Sequence, residues 1–210
     1  VPAPRTIALN SNLGNVMGAD EALYQRSLAL STRTFGPGHP SAGLALGNLG
    51  SVYLGRGEFT RAIEVSGQAV AIQRRTLGVH PLLAVNLSNL GTAFGALRRY
   101  DEALAVLRES AEIYDRLYPA GHPDAVIALI NLGDTARRTG ELVTSRDALR
   151  RALALTDRPG ATHQRDYATI ELADTLVRMG AADEALALLR PILEHPPKGP
   201  PFDTRVAFVH

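Results

Sequence analysis

The sequence specifies an all-α protein built from about five tandem helix-turn-helix repeats stacked side by side. Three observations carry this. First, short marks recur in one register. His-Pro stands at His39-Pro40, His80-Pro81 and His122-Pro123, spaced 41 and 42 residues apart, and His163-Gln164 follows 41 further on. Asn-Leu-Gly keeps step at Asn48-Leu49-Gly50, Asn89-Leu90-Gly91 and Asn131-Leu132-Gly133, with Glu171-Leu172-Ala173 in the last repeat. Second, thirteen residues after each of these leucines comes a small residue (Ala62, Ala103, Ser145, Ala185), and seven further on come Ala69, Ser110, Ala152 and Ile192. Third, apolar residues between the marks step by three or four. Leu83, Leu87, Leu90, Phe94 and Leu97 form one such run, and Ala103, Leu107, Ala111, Tyr114 and Leu117 form the next, each lining one face of a helix.

The repeats span about 1–40, 41–81, 82–123, 124–164 and 165–194. In the first, helices are predicted at 4–13 and 19–34, the second ending at Gly36-Pro37-Gly38. The second repeat holds 41–54 and 58–76, separated by Gly55-Arg56-Gly57 and closed at Gly78. The third holds 82–97 and 100–117, broken at Arg98-Arg99 and closed by Pro119-Ala120-Gly121. The fourth holds 123–138 and 141–157, with Gly140 between them and Pro159-Gly160 after; the fifth holds 164–179 and 181–194 around Gly180. Pro at the first helical position is harmless because its missing N–H would go unpaired there, so each His-Pro reads as a unit boundary that opens the next helix. Gly50, Gly91 and Gly133 fall mid-helix, where Gly costs about 1 kcal/mol against Ala. They are expected to mark places where two helices approach too closely for a side chain, and no strand precedes them as a phosphate loop would require.

The Leu-Gly pair, the aromatic four residues after that leucine (Tyr53, Phe94), the Gly before the second helix and the later small residues resemble tetratricopeptide repeats. The usual unit is about 34 residues; the 41–42 spacing with His-Pro before each unit is similar to the longer kinesin-light-chain-like variant. The resemblance covers about 1–194. It weakens in the first repeat, where Ile7-Ala8 replaces Leu-Gly, Ser11 the aromatic and Asp20 the small residue, as terminal repeats often diverge. It implies a right-handed α-solenoid whose first helices line a concave groove, and a non-catalytic scaffold that grips an extended peptide or partner helix there.

Composition narrows function in the same direction. The chain has 210 residues, 22 Lys+Arg against 21 Asp+Glu, and no Cys. Disulfides, thiolate nucleophiles and Cys-type metal sites are excluded. Ala and Leu supply 61 residues, a helix-former's profile. The only Lys, Lys198, lies in a Pro/Gly tail, which excludes a scaffold lysine for phosphate or Schiff-base chemistry. A net charge of +1 argues against a nucleic-acid partner. No apolar run reaches membrane-spanning length and no secretory leader is visible, so the expected location is cytoplasmic and no membrane partner is expected.

Within the groove that the resemblance implies, the residue before each Leu-Gly should face a ligand: Asn48, Asn89 and Asn131, each able to donate and accept toward a peptide backbone. The competing reading has each Asn bond a neighbouring helix. One turn on lie Ser51, Thr92, Asp134 and Asp174, and one turn earlier Leu44, Val85, Ile127 and Tyr167. The face runs from neutral to acidic, where Asp134, Glu171 and Asp174 gather, suggesting a ligand with apolar side chains and an Arg or Lys toward one end. Asp134–Arg138 and Asp174–Arg178 also read as i,i+4 pairs that support an exposed helix; Glu171 has no such partner on its own helix and is the better ligand contact.

Neither metal nor cofactor is expected. One His per repeat places successive histidines about 10 Å apart by helix-packing distances, too far to share zinc. The pairs Arg74-Arg75, Arg98-Arg99, Arg137-Arg138 and Arg150-Arg151, with Arg56 and Arg178, read as a solvated rim diluted by Glu58, Asp101, Glu102, Glu141 and Asp147. No catalytic constellation stands apart from the repeat marks, leaving an enzyme as a remote alternative. The tail at 195–210 combines His195-Pro-Pro-Lys-Gly-Pro-Pro201 with Phe202-Asp-Thr-Arg-Val-Ala-Phe-Val-His210, which resembles the opening of another first helix near Asp124–Asn131. It is expected to begin a sixth unit, cap the stack, or mediate self-association. A start at Val1 suggests excision from a longer chain, so the alternative function is a sensor or regulatory module of a bacterial STAND-type NTPase or transcriptional regulator, packed on its own nucleotide-binding domain.

Overall fold

The computed structural model describes residues 21–119, 121–156 and 162–194. Among them are nine helices and no strand: α1 (Glu21–Phe35), α2 (Pro40–Gly55), α3 (Phe59–Thr76), α4 (Pro81–Ala96), α5 (Tyr100–Leu117), α6 (Pro123–Thr139), α7 (Leu142–Leu155), α8 (Thr162–Arg178) and α9 (Ala182–Glu194). This is the all-α helical-repeat class, and each helix end lies within two residues of its expected place except the ends in or near undescribed segments. The helix expected at 4–13, the Pro159-Gly160 break and the tail at 195–210 lie outside the described residues.

The chain divides into two compact units, 1–99 and 100–210. In the N-terminal unit α1 packs on α2, α2 on α3 and α3 on α4, and the two first helices α2 and α4 also touch. In the C-terminal unit α5 packs on α6, α6 on α7, α7 on α8 and α8 on α9, and the first helices α6 and α8 touch. Each second helix is therefore followed in space by the first helix of the next repeat.

The repeat marks have local causes. His39, His80 and His122 cap α2, α4 and α6: each Nδ1 accepts from the backbone N–H two residues on (Ser41, Leu82, Asp124), all at 3.2 Å, and the intervening Pro takes the first helical position. The turns between paired helices share one hydrogen-bond pattern. The N–H of Glu58, Arg99, Glu141 and Ala181 donates to the carbonyl of Tyr53, Phe94, Ala136 and Leu176, with a second bond nested inside. The residue at the crest has positive φ: Gly57 73°, Arg98 61°, Gly140 84° and Gly180 82°. Arg98 thus occupies a left-handed place that the other three repeats give to Gly, a conformation that crowds an L side chain against its carbonyl.

Gly50 and Gly133 are close-approach positions. A Cβ on Gly133 would lie 2.5 Å from Cγ of Leu149 on α7, and one on Gly50 would overlap Ser66 Oγ on α3. The small residues after them are sealed: Ala62, Ala103 and Ser145 are 0% exposed and Ala185 is 1%. Leu46, Leu49, Leu83, Leu87, Leu90, Leu129 and Leu132 fill the core between helices.

Candidate binding surface

In the N-terminal unit, buried positions of the first helices recur at i, i+4 and i+7 (Ala42, Leu46, Leu49 on α2; Leu83, Leu87, Leu90 on α4), and a second series at the same spacing is less buried. Leu44 and Asn48 on α2 are half-buried and Ser51 is exposed; Val85, Asn89 and Thr92 on α4 are half-buried. The six residues expected there occupy one uncharged face. Asn89 Nδ2 donates to Ser51 Oγ at 3.0 Å, joining the two first helices across it. Ser51 and Thr92 hydroxyls donate to the carbonyls of Gly47 and Ser88. Asn89 thus makes the bond to a neighbouring helix that the competing reading of the Asn mark expects.

Beneath this face lies a polar pair that sequence reasoning missed. Asn86 is 4% exposed, and its Nδ2 donates to Gln73 Oε1 on α3 and to the Leu82 carbonyl, both at 3.0 Å. A Cβ at Gly47 would come within 2.5 Å of Asn86 Oδ1, so Gly47 makes the space for this amide. The available signal was register: Asn86 stands where the neighbouring repeats have Ala45 and Ala128.

The C-terminal unit presents different chemistry. Ile127 is half-buried, but Asn131 and Tyr167 are 4% and 7% exposed. These two are buried rather than on the surface to which the repeat register assigned them. Asp134, Glu171 and Asp174 do gather, yet around a basic residue of this chain. Arg137 Nη2 donates to Asp134 at 2.6 Å and to Glu171 at 2.8 Å, and Nη1 lies 2.6 Å from Asp174. Arg138 Nε donates to Asp134 at 2.8 Å and Arg178 Nε to Asp174 at 3.2 Å, the two expected i,i+4 pairs. Glu171, without a partner on its own helix, finds one 34 residues away on α6.

Three carboxylates therefore face three guanidiniums, and the basic side chain expected from a ligand comes from Arg137. That residue was expected on a solvated rim; its side chain is only 11% exposed. Burial raises the Glu171 carboxyl above its ordinary value, and nearby Asp134 adds to this while Arg137 opposes it. Burial also raises the Tyr167 phenol, again with Glu171 and Asp134 contributing. Burial works against the Arg137 charge, but Glu171, Asp134 and Asp174 outweigh it and leave the guanidinium above its usual range.

Elsewhere the rim behaves as expected of surface charge. Arg150 pairs with Glu184 at 2.6 Å, and Arg108 and Arg151 pair with Glu141 and Asp115. Tyr53 OH donates to Glu21 at 2.7 Å and accepts from Arg61 at 2.7 Å, tying α1, α2 and α3 at one end. Three of the recurrent histidines serve as caps, and among the described residues no three His, Cys, Asp or Glu side chains converge to hold a metal. Nor is any described helix long and apolar enough to cross a membrane.

A family model described as tetratricopeptide repeat matches residues 21–75, 45–116 and 82–158, and a second model of the same description matches 167–191. The chain belongs to the tetratricopeptide repeat family, whose members generally serve protein–protein interaction. A clustered mitochondria protein homolog of Aspergillus niger is 30% identical over 115 residues, 53% of this chain and 9% of that protein. The homolog of the same name in Aspergillus fumigatus is 26% identical over 162 residues, covering 74% of this chain and 12% of its own. The chain thus spans roughly a tenth of the length of these curated relatives. Among solved structures, a putative kinesin light chain of Podosopora anserina with nearly identical TPR-like repeats superposes with a TM-score of 0.69 at 22% identity, over 92% of this chain and 95% of that one. BtubC (BKLC) from P. vanneervenii superposes with a TM-score of 0.75 at 19% identity, over 95% and 84%. At these identities the likeness is one of fold, and it supports the kinesin-light-chain-like form of the repeat.

Proposed function

We propose that the protein is a non-catalytic scaffold that binds an extended peptide across the first helices of its repeats. The observation that carries this reading is the uncharged face of α2 and α4, where Asn48 and Asn89 flank apolar Leu44 and Val85 beside Ser51 and Thr92. Asn amides can pair with a peptide backbone of any sequence, and the apolar neighbours can take alternate side chains. The C-terminal unit, taken by itself, presents Ile127, Asp134, Glu171 and Asp174 as a charge-balanced surface, with Asn131 and Tyr167 buried in the same helices. That balance lowers the value of a basic ligand residue, because Arg137 already occupies the place it would take.

A random peptide-display library selected on the full chain tests this reading. The expected result is enrichment of extended, largely uncharged sequences that are lost when the same library meets Asn48→Ala/Asn89→Ala. Enrichment that survives the double substitution would move the binding surface elsewhere. The curated relatives carry their matching repeats as a minor part of a much longer chain. In a longer chain the same face would serve equally for an internal partner, the regulatory-module reading.

A further inference from the structure

The three histidine caps share one bond but not one environment. Each uses ring Nδ1 as the acceptor for the N–H two residues on. An imidazole nitrogen accepts only while it carries no proton, so each cap requires the neutral ring with its hydrogen on Nε2. Protonation sets a hydrogen on Nδ1 against the backbone N–H and adds a positive charge at the positive end of the helix dipole.

What differs is the compensation open to the charged ring. Four residues before His39 and His122 stand Phe35 and Tyr118, whose rings lie against the imidazoles at centroid distances of 4.5 and 4.3 Å. Tyr114 stacks on His122 as well, at 5.9 Å. Aromatic faces attract a cation. His122 also has Asp124 Oδ2 at 3.8 Å from its Nδ1. At His80 the fourth residue back is Thr76, whose hydroxyl donates to the Ile72 carbonyl, and the second residue on is Leu82. Among the described residues neither a ring nor a carboxylate lies against His80. The helices packed on α4 are α2 and α3. From α3 come Arg74 and Arg75 in its last turn, with Glu64 in its first half. From α2 come only Tyr53, near its far end, and the cap His39. Glu21 and Glu58 are held by Arg56 and Arg61 at the opposite end of these helices.

We infer that His80 is an acid-sensitive catch on α4: on gaining a proton it releases the first turn of that helix, while His122 holds α6 through Asp124 and two tyrosines. The sign follows from where the proton fits. It binds more readily once Nδ1 has left the Leu82 N–H, so the cap's contribution is present above the ordinary histidine range, about 6.5, and is lost as pH falls below it. The release reaches the core. Leu82, whose N–H is capped, offers its carbonyl to Asn86 Nδ2, which also bonds Gln73. Loosening that turn withdraws one of the two acceptors of the buried amide. The response belongs to the helix and does not depend on a peptide binding above it.

Amide hydrogen exchange on the full chain, corrected for the pH dependence of the intrinsic rate, tests this. The N–H groups of Leu83 and Ala84 donate to the His80 carbonyl, and that of Ala125 donates to the His122 carbonyl. Between about pH 8 and about pH 5, protection at Leu83 and Ala84 should fall roughly 2- to 30-fold, the factor an N-cap is worth, and should fall less at Ala125. In His80→Asn, whose side chain caps without titrating, the fall at Leu83 and Ala84 should vanish. An equal fall in parent and variant, no fall in the parent, or one as large at Ala125 would overturn the inference. Ring-nitrogen shifts at the higher pH check its premise on the unaltered chain: a His80 hydrogen on Nδ1 rather than Nε2 would overturn it as well.

Discussion

Replacing Gly133 by alanine should destabilise the protein, although alanine is the better helix former. The gain from propensity is about 1 kcal/mol. Against it stands overlap: the new Cβ would meet Leu149 at 2.5 Å from Cγ, 2.9 Å from Cδ2 and 3.1 Å from Cδ1. Leu149 is 0% exposed and cannot swing into solvent. Overpacking of this kind costs about 1–3 kcal/mol, and contact with the branch carbon and both methyls puts this site toward the upper end, for a net loss of about 1–2 kcal/mol. Gly67 is the control. It also lies mid-helix, on α3, but has nothing within 4 Å of where its Cβ would be, so Gly67→Ala should gain about 0.5–1 kcal/mol. Urea unfolding with unchanged m-values measures both. A cycle with Leu149→Ala isolates the cause: that change alone should cost about 2–5 kcal/mol, but in its background Gly133→Ala should turn stabilising. A Gly133→Ala protein as stable as the parent, or one still destabilised beside Ala at 149, would refute close approach as the reason for the glycine.

Other consequences are equally direct. Arg98→Gly should raise stability by up to about 1 kcal/mol in urea unfolding, since it relieves a left-handed L residue at about 1–2 kcal/mol but adds the entropy of glycine. His80→Ala should cost about 1 kcal/mol in the same assay, as N-cap removal does, and His80→Asn should restore most of it. Arg137→Met leaves Asp134 and Glu171, at 13% and 14% side-chain exposure, facing each other without their shared cation; such losses cost about 3–5 kcal/mol, read as a lowered denaturation midpoint at neutral pH. Glu171 has a raised folded-state pKa, so its share of stability is present below the ordinary glutamate range and lost as pH rises through the raised value. Glu171→Gln should therefore flatten the fall in stability with rising pH above that range, and parallel pH profiles of parent and variant would contradict the assignment.

Much of the architecture was legible because a repeat duplicates its local physics. His-Pro announced a capped helix start, and the caps on α2, α4 and α6 are the same side-chain bond three times. Gly50 and Gly133 were readable as contact points because they recur in the repeat register, whereas Gly67, which has open space around it, does not. Asn48 and Asn89 were placed on the outward face by the residue that follows them. What escaped depends on partners distant in sequence. Arg137 looks like half of a surface Arg pair until α8 brings Glu171 and Asp174 to it. Asn86 and Gln73 are ordinary polar letters until α3 and α4 meet with Gly47 behind them. The burial of Asn131 and Tyr167 belongs to the same class, because the register fixes which way a side chain leaves its helix but not how closely the next helix covers it.

The central claim is that the α2/α4 face takes the peptide, and side-chain amide NMR tests it most directly. Titrating a display-selected peptide into the labelled full chain should move the Asn48 and Asn89 side-chain NH2 signals together, saturating at one dissociation constant. Two hydrogen bonds at about 0.5–1.5 kcal/mol each predict roughly 5- to 150-fold weaker binding by Asn48→Ala/Asn89→Ala. A peptide that binds while both amides stay in place, and binds the double variant as tightly, would contradict the account.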